Sequence, residues 1–300
     1  MEDYQKYLNP QVLASLEGLD LQARLVVEGY VAGGHASPYH GFSVEFAQHR
    51  EYVPGDDIRH VDWKVWSKTD KYYLKQYEEE TNLLTYLLLD TSESMGYASE
   101  GNVSKLQYCQ FVAAALAYLV LQQQDSVGLA TFDGRTQNYL RPSGQPSHLK
   151  EVLHLMDATP AGEKSDMGIV FHDLAERFKK RGVVVVLSDL FDDPERILAG
   201  LKHFRHRKHE AVVFHILDRD ELTFPFKDTS VFEGMEGEEA IMAEPNALRK
   251  EYLNAFSAYQ ERLKRGCREL DMDYHAFPTD KPVDSALSLY LAGRMQRKNK

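Results

Sequence analysis

Three continuous apolar runs, at residues 83–89, 183–187 and 211–217, dominate the hydrophobic pattern of the chain. A strand with one face in water alternates apolar and polar residues, whereas a strand that is covered on both faces is apolar throughout. The three runs therefore predict strands of a parallel sheet with helices on both faces. Residues 273–277 predict a final strand of the same sheet.

Helical segments lie between the predicted strands. Ser104 and Gln107 have capping-box spacing at the start of a predicted helix over residues 106–123. Further helices are predicted over residues 167–180, 194–207, 246–270 and 283–296. Strands that alternate with helices in this way predict a doubly wound α/β fold.

One pair of strands departs from this alternation. Residues 127–132 and 137–140 are strand-like and are separated by Asp133 and Gly134, a typical turn pair. They predict a hairpin that places one antiparallel strand at the edge of the sheet. The fold class that we expect is therefore α/β, with a doubly wound, mostly parallel sheet and one antiparallel edge strand.

Two regions fall outside this plan. Residues 1–80 form an N-terminal segment, which we expect to pack on a core domain of residues 81–300. Residues 222–244 alternate aromatic and polar positions near two glycines, which predicts a small β-hairpin insertion within that domain.

Composition narrows the classes of function. The 35 Lys and Arg residues against 46 Asp and Glu leave a formal net charge of −11, which disfavours binding to nucleic acid or to anionic lipid. Cys109 and Cys267 lie far apart without Cys-x-x-Cys spacing, so neither a disulfide framework nor a zinc site is expected. Residues 1–9 do not resemble a signal peptide, and no apolar stretch reaches the roughly 18 residues of a membrane span. We expect a soluble, cytoplasmic protein.

Oxygen-bearing side chains follow the predicted strands. Asp90, Ser92 and Ser94 come directly after the first apolar run, and Asp189 follows the second. Ser165 lies just before the helix that precedes the second run. Because ligand sites of open α/β sheets lie beyond the carboxyl ends of the strands, these five side chains are expected at one edge.

Such a ligand set favours a hard cation. Carboxylate and hydroxyl oxygens without histidine or thiolate suit Mg²⁺ or Mn²⁺, which retain water and so leave a coordination position for a partner's carboxylate. The alternative is that Asp90, Ser92 and Ser94 only satisfy turn and cap hydrogen bonds. The placement of the donors after several elements favours the metal site.

The pattern Asp90-x-Ser92-x-Ser94, with Ser165 and Asp189, resembles the metal-ion-dependent adhesion site of von Willebrand factor A domains. The resemblance implies that the serines coordinate the ion and that the aspartates act largely through water. This chain has Ser165 where the family usually has threonine, so the hydroxyl is kept but its rotamer is less restricted.

A second resemblance covers nearly the whole chain. Residues 41–46 (GFSVEF), 50–64 (REYVPGDDIRHVDWK) and 75–80 (KQYEEE) are similar to the bacterial family known as domain of unknown function 58. The resemblance implies an A-type domain that works beside a MoxR-type AAA+ ATPase, in chaperone-like assembly, maturation or metal insertion.

The same stretch has two interpretations from its residues alone. Arg59 and neighbouring charges can form ion pairs that fix the segment, with Trp63 as an apolar anchor, and this structural role is the one that we favour. The alternative is that Tyr52, Arg59 and Trp63 form a partner-binding surface, because Tyr, Trp and Arg dominate interface hot spots.

No catalytic constellation stands out. Ser92 occupies the position where a haloacid dehalogenase-type phosphotransferase needs a second aspartate, and neither a G-x-x-x-x-G-K-[ST] loop nor a G-x-S-x-G elbow occurs. The sequence therefore predicts a non-catalytic, metal-dependent protein-interaction adaptor. The alternative is a magnesium-dependent hydrolase that uses Asp90 and Asp189.

Overall fold

The computed structural model describes residues 7, 44–53, 61–69, 71–79, 83–160, 162, 166–227, 230–232 and 241–298. The chain divides into two compact units. We call Gly29–Asn82 the N-terminal unit, and Leu83–Lys300 together with Met1–Glu28 the core unit. The expectation that residues 1–80 pack on the core domain stays a prediction.

The N-terminal unit contains an antiparallel pair of strands, β1 (Val44–Glu51) and β2 (Tyr73–Glu79), with helix α1 (Trp63–Thr69) between them. Asp62 begins α1, since its Oδ1 accepts hydrogen bonds from the backbone N–H groups of Lys64 and Val65, at 3.0 and 3.3 Å. An aspartate at this position satisfies N–H groups that the first helical turn leaves without partners.

The core unit is built on a six-stranded sheet. Its strands are β3 (Leu84–Asp90), β4 (Ser126–Phe132), β5 (Thr136–Ser143), β6 (Val183–Ser188), β7 (Glu210–Leu217) and β10 (Asp273–Pro278). Their order in the sheet is β10, β7, β6, β3, β4, β5. All neighbours are parallel except β4 and β5. The predicted doubly wound, mostly parallel α/β fold with one antiparallel edge strand is therefore confirmed.

Helices connect these strands in the predicted order. They are α2 (Lys105–Gln122), α3 (His148–Asp157), α4 (Met167–Arg177), α5 (Pro194–His206), α6 (Arg219–Thr223), α7 (Pro245–Glu269) and α8 (Val283–Lys298), with a 3-10 helix at Glu93–Gly96. The capping box of Ser104 and Gln107 is present at the start of α2. The short α6 was not predicted from the sequence, and it has a capping box of its own from Asp218 and Glu221.

One face of the sheet carries an aromatic core beneath α4, α5 and α7. Tyr86 of β3 stacks on Phe178 with ring centroids 4.0 Å apart, and Phe171 contacts both Phe132 and Phe204. Helix α4 ends three residues before the predicted position, because Phe178 adopts an extended conformation and turns its ring into this core. The burial of all four consecutive valines of β6 explains its continuous apolar run.

The predicted insertion contains a short antiparallel hairpin, β8 (Ser230–Phe232) with β9 (Ile241–Ala243). Phe224 and Phe226, which contribute to the alternating pattern, lie outside these strands. Phe224 follows α6 in the left-handed conformation (φ 45°), and its ring packs on Tyr252 of α7, with centroids 4.6 Å apart. The alternation in this part of the segment therefore reflects packing on a helix and not a strand.

Asp125 joins the starts of two neighbouring strands. Its Oδ1 accepts a hydrogen bond of 2.8 Å from the backbone N–H of Leu83, just before β3, while Asp125 itself precedes β4. Burial raises the pKa of this carboxyl from its usual 3.8 to about 6. The charged form therefore costs stability that the hydrogen bond only partly offsets.

We predict that Asp125→Asn stabilises the protein near neutral pH by about 1 kcal/mol, because the amide keeps an acceptor for Leu83 without a buried charge. The folded protein holds this proton to higher pH than the unfolded chain does. The cost therefore develops between about pH 4 and 6 and is complete above that range. Chemical denaturation at several pH values should show the difference shrinking towards pH 4, and a pH-independent difference would contradict the prediction.

Candidate functional site

The candidate site begins with two adjacent strands that end at the same sheet edge. Asp90 is the last residue of β3, and Asp189 directly follows β6, which pairs with β3 in parallel. Ser188, the last residue of β6, donates a hydrogen bond of 2.5 Å from its Oγ to Asp90 Oδ2. The sheet register itself therefore brings these aspartates together, as the sequence predicted.

Asp90 is completely buried. Its Oδ1 accepts a hydrogen bond of 2.9 Å from the backbone N–H of Ser92. Burial and the nearby negative charge of Asp189 raise the pKa of Asp90 to about 7, against the opposing effect of hydrogen bonds from Ser188 and Ser92. A positive charge close to Asp90 would therefore stabilise its carboxylate form.

Ser92 and Ser94 connect the two aspartates. The 3-10 helix after β3 places their hydroxyl oxygens 3.2 Å apart in the interior. The Ser92 hydroxyl hydrogen-bonds to Asp90, and the Ser94 hydroxyl to Asp189. Four of the five side chains that the sequence assigned to a metal therefore form one hydrogen-bonded cluster, which we call the Asp90 cluster.

A buried lysine, which the sequence interpretation missed, faces this cluster. Lys105, the first residue of α2, has only 2% of its side chain exposed, and its Nζ lies 2.6 Å from Asp189 Oδ2 and 2.6 Å from Glu221 Oε1. Burial disfavours the charged forms of both Lys105 and Asp189. Their mutual attraction outweighs burial, so the pKa of Lys105 is raised and that of Asp189 is lowered.

One sequence signal could have pointed to Lys105. The first turn of a helix carries a partial positive charge and favours acidic residues, so a lysine there needs a negative partner. Its partners follow β6 and β7, about 84 and 116 residues further along the chain. A separation of this size hides the pairing from any local pattern.

Two further buried residues support Asp189 and its surroundings. His215 of β7 lies between the backbone carbonyl of Asp189, which accepts from Nε2 at 2.8 Å, and the Tyr274 hydroxyl at 2.5 Å from Nδ1. Burial lowers the pKa of His215 to about 4, so the ring is neutral at neutral pH. Asp218, at the end of β7, accepts hydrogen bonds from the N–H and hydroxyl of Ser99, both at 3.1 Å.

Ser165, the fifth expected ligand, lies outside the described residues. The described residues around it contact the neighbours of the two aspartates. Gly162 donates a backbone hydrogen bond of 2.5 Å to the carbonyl of Thr91, and Met167 donates one of 3.2 Å to Asp192 Oδ2. The inclusion of Ser165 in the site stays a prediction.

The residues assigned to partner binding belong to the N-terminal unit. Arg59 lies outside the described residues, and Tyr52 is half-buried. Trp63 has 55% of its surface exposed and contacts the ring of Trp66, which stacks on Tyr72. This exposure does not support the favoured interpretation of Trp63 as an apolar anchor, and no residue described in α1 is buried.

An apolar groove lies next to the Asp90 cluster. It has a volume of about 370 Å³ and is lined by Phe191, Asp192, Tyr252, Ala255, Phe256 and Tyr259. Phe191, which is 59% exposed, is linked to the cluster because its backbone N–H donates to Asp189 Oδ1 at 3.2 Å. An aromatic surface thus adjoins the carboxylates.

One distance in the Asp90 cluster matches the coordination of a small divalent cation. Neighbouring oxygens around an octahedral Mg²⁺ lie about 3 Å apart, close to the 3.2 Å between the hydroxyl oxygens of Ser92 and Ser94. Three carboxylates, from Asp90, Asp189 and Glu221, less the single ammonium of Lys105, leave a formal charge of −2 when all are ionised. Across the described part of the chain, no group of three or more His, Cys, Asp or Glu side chains is placed to hold a metal. An ion here would rely on two carboxylates, hydroxyls and water.

A family model described as "Protein of unknown function DUF58" matches residues 48–262, which is more than half of the chain. The chain belongs to the DUF58 family. Uncharacterized proteins of Mycobacterium tuberculosis and Mycobacterium bovis are 25% identical to it over 292 residues, which cover 95% of this chain and 90% of theirs. The resemblance to this family found in the sequence is therefore confirmed.

Solved structures with a similar fold include BatB from Bacteroides thetaiotaomicron, at 13% identity and a TM-score of 0.49, covering 72% of this DUF58 protein and 99% of that chain. An aerotolerance-related membrane protein from Bacteroides fragilis is 17% identical, with a TM-score of 0.47 and the same coverages. The VWA domain of SpRpn10 is 15% identical, with a TM-score of 0.39, and the match covers 69% of this chain and 94% of that one. These scores are too low to carry an inference about function.

Among the described helices of this DUF58 protein, none combines the length and apolarity that are needed to cross a membrane.

We predict that Ser188→Ala destabilises this DUF58 protein by about 2 kcal/mol, because it removes a buried donor to Asp90 and the acceptor of the Leu190 N–H. Denaturant unfolding measures the change. Ser67→Ala is a suitable control, since it also removes one hydroxyl hydrogen bond but at an exposed position. Equal effects of the two substitutions would contradict the structural role of Ser188.

Proposed function

We propose that this DUF58 protein is a non-catalytic adaptor that docks a partner through a divalent cation, Mg²⁺ or Mn²⁺, held at the Asp90 cluster. Asp90, Ser92, Ser94 and Asp189 would hold the ion, together with Ser165. The observation that supports this proposal is the convergence of these four described side chains from the ends of β3 and β6.

The bound ion would supply a Lewis-acidic position for a carboxylate of the partner. The chain's own contribution is to fix the ligands beforehand. Ser188 holds the Asp90 carboxylate, and the N–H of Phe191 holds Asp189 Oδ1. Phe191 also brings an exposed aromatic ring beside the site. A partner segment with an acidic residue next to an apolar one would match both features.

The partner that we propose is a MoxR-type AAA+ ATPase of the cytoplasm, with a role in chaperone-like assembly or maturation. This choice rests on what membership of the DUF58 family implies, and the site chemistry adds the requirement for an acidic residue on the partner. We propose that the exposed Trp63 and the half-buried Tyr52 of the N-terminal unit belong to a second contact surface. Arg59 is assigned to this surface from the sequence alone.

The burial of Asp90 weighs against the alternative, a magnesium-dependent hydrolase that uses Asp90 and Asp189. Asp90 has no exposed surface, and its carboxylate accepts hydrogen bonds from Ser188 and Ser92. A carboxylate that acts as nucleophile or base must reach the substrate. Burial therefore argues against Asp90 as a nucleophile or general base, and a hydrolase in which Asp90 only holds the ion is distinguished by the turnover measurement below.

We predict that Asp90→Asn abolishes Mg²⁺-dependent capture of a separately purified MoxR-type ATPase while leaving the protein folded in chelator. The loss of capture follows from the missing charge, and the fold is kept because the amide oxygen still accepts a hydrogen bond from the N–H of Ser92. Pull-down with Mg²⁺ or chelator, together with thermal unfolding, measures both effects.

The matched control for Asp90→Asn is Asp271→Asn, an exposed aspartate just before β10 at the opposite edge of the sheet. It should capture the partner as wild type does. Capture that is indifferent to chelator would refute metal-dependent docking. Mg²⁺-dependent turnover of phosphate esters that is lost in Asp90→Asn would instead favour the hydrolase.

We predict that Trp63→Ala weakens capture about tenfold or more without changing its dependence on Mg²⁺, because a hot-spot tryptophan typically contributes at least 1.4 kcal/mol, or about tenfold, to binding. A titration of labelled partner measures the affinity. Leu289→Ala removes another exposed apolar side chain and should have no effect. Unchanged affinity of the Trp63 variant would remove this residue from the docking surface.

A further inference from the structure

The position of Lys105 is electrostatically unfavourable within its own helix. It is the first residue of α2, where the helix dipole disfavours a cation, and its side chain is almost fully buried. A buried ammonium is costly unless it is closely paired. Its Nζ lies 2.6 Å from an oxygen of Asp189 and 2.6 Å from one of Glu221, so the structure pairs it twice.

The Asp189 carboxylate is shared between this lysine and the candidate metal site. Its Oδ2 contacts Lys105 Nζ, its Oδ1 accepts from the N–H of Phe191, and its carboxylate also accepts from the Ser94 hydroxyl. A divalent ion among Asp90, Ser92 and Ser94 would therefore lie within a few ångströms of an ammonium. Two cations that share one carboxylate repel each other and compete for its charge.

We infer that Lys105 is the resident cation of the Asp90 cluster, and that it limits how tightly the cluster holds a divalent ion. The inference rests on the metal site of the proposed function. In this arrangement the ammonium keeps Asp189 and Glu221 in place without metal, so the site is formed in advance. The same ammonium weakens the binding of the ion, which makes docking respond to the local concentration of Mg²⁺.

The decisive variant is the double substitution Lys105→Met with Glu221→Gln. It removes one positive and one negative charge, so the formal charge of the cluster stays at −2 while the ammonium beside Asp189 is lost. We expect Mg²⁺ to bind about tenfold more tightly than in wild type, measured by calorimetric titration. We also expect a larger rise of the unfolding temperature when Mg²⁺ replaces chelator.

Two controls accompany this variant. Arg205→Met with Asp271→Asn neutralises an exposed ion pair, with 2.6 Å between Arg205 Nη2 and Asp271 Oδ2, and should leave Mg²⁺ binding unchanged. Adding Asp90→Asn to the double variant, Lys105→Met with Glu221→Gln, should remove its tighter Mg²⁺ binding. The second control assigns the effect to the Asp90 cluster and not to a new site.

The outcomes separate this inference from the proposed function. If wild type binds Mg²⁺ and the double variant binds it equally or more weakly, Lys105 does not limit the site and only the inference fails. If neither protein binds Mg²⁺ or Mn²⁺, the metal site fails and both proposals are refuted.

A single substitution, Glu221→Gln, tests the inference should the double variant fail to fold. It keeps Lys105 and removes one of its two carboxylate partners, so the ammonium depends more strongly on Asp189. We expect weaker Mg²⁺ binding than in Asp220→Asn, which also removes one negative charge beside this site but from a carboxylate that pairs with Tyr97 and Arg219. Binding that is equal to or tighter than that of the Asp220 variant would overturn the inference.

Discussion

The ion pair between Lys105 and Asp189 joins the first turn of α2 to the end of β6, across the carboxyl edge of the sheet. Both side chains are nearly inaccessible to water, so neither charge is tolerable without the other. Glu221 adds a third charged group from the short helix after β7. The connections that follow the parallel strands β3, β6 and β7 are thereby held together, and the geometry of the Asp90 cluster depends on these ion pairs.

The sheet supplies the other half of the arrangement. Because β3 and β6 are parallel neighbours, Asp90 and Ser188 reach the edge at nearly the same level, and one short hydrogen bond joins them. The carboxylates of Asp90, Asp189 and Glu221 lie near one another at this edge, and the ammonium of Lys105 pairs with the last two. The proposed metal site and the buried ion pairs of Lys105 both depend on this crowding of carboxylates in a place with little water.

The apolar groove lies at the same carboxyl edge of the sheet as the Asp90 cluster. Phe191 comes two residues after Asp189, and the loop that positions the carboxylate also turns the ring outwards, beside Tyr252 and Phe256 of α7. Exposed aromatic side chains such as Phe191 are enriched at protein interfaces. This surface belongs to a member of the DUF58 family. The exposed aromatic residues of the N-terminal unit are a further proposed contact surface.

The sequence by itself determined the sheet, most helix bounds and four clustered donors, because fully buried strands such as β6 and caps such as Ser104 leave local patterns. It did not determine the end of α4, where Phe178 turns into the core, or the packing of Phe224 on α7. Only the tertiary structure brought Lys105 to Asp189. The physical reason is that an ion pair between residues 84 positions apart is specified by the fold, which alone makes both charges buried and adjacent.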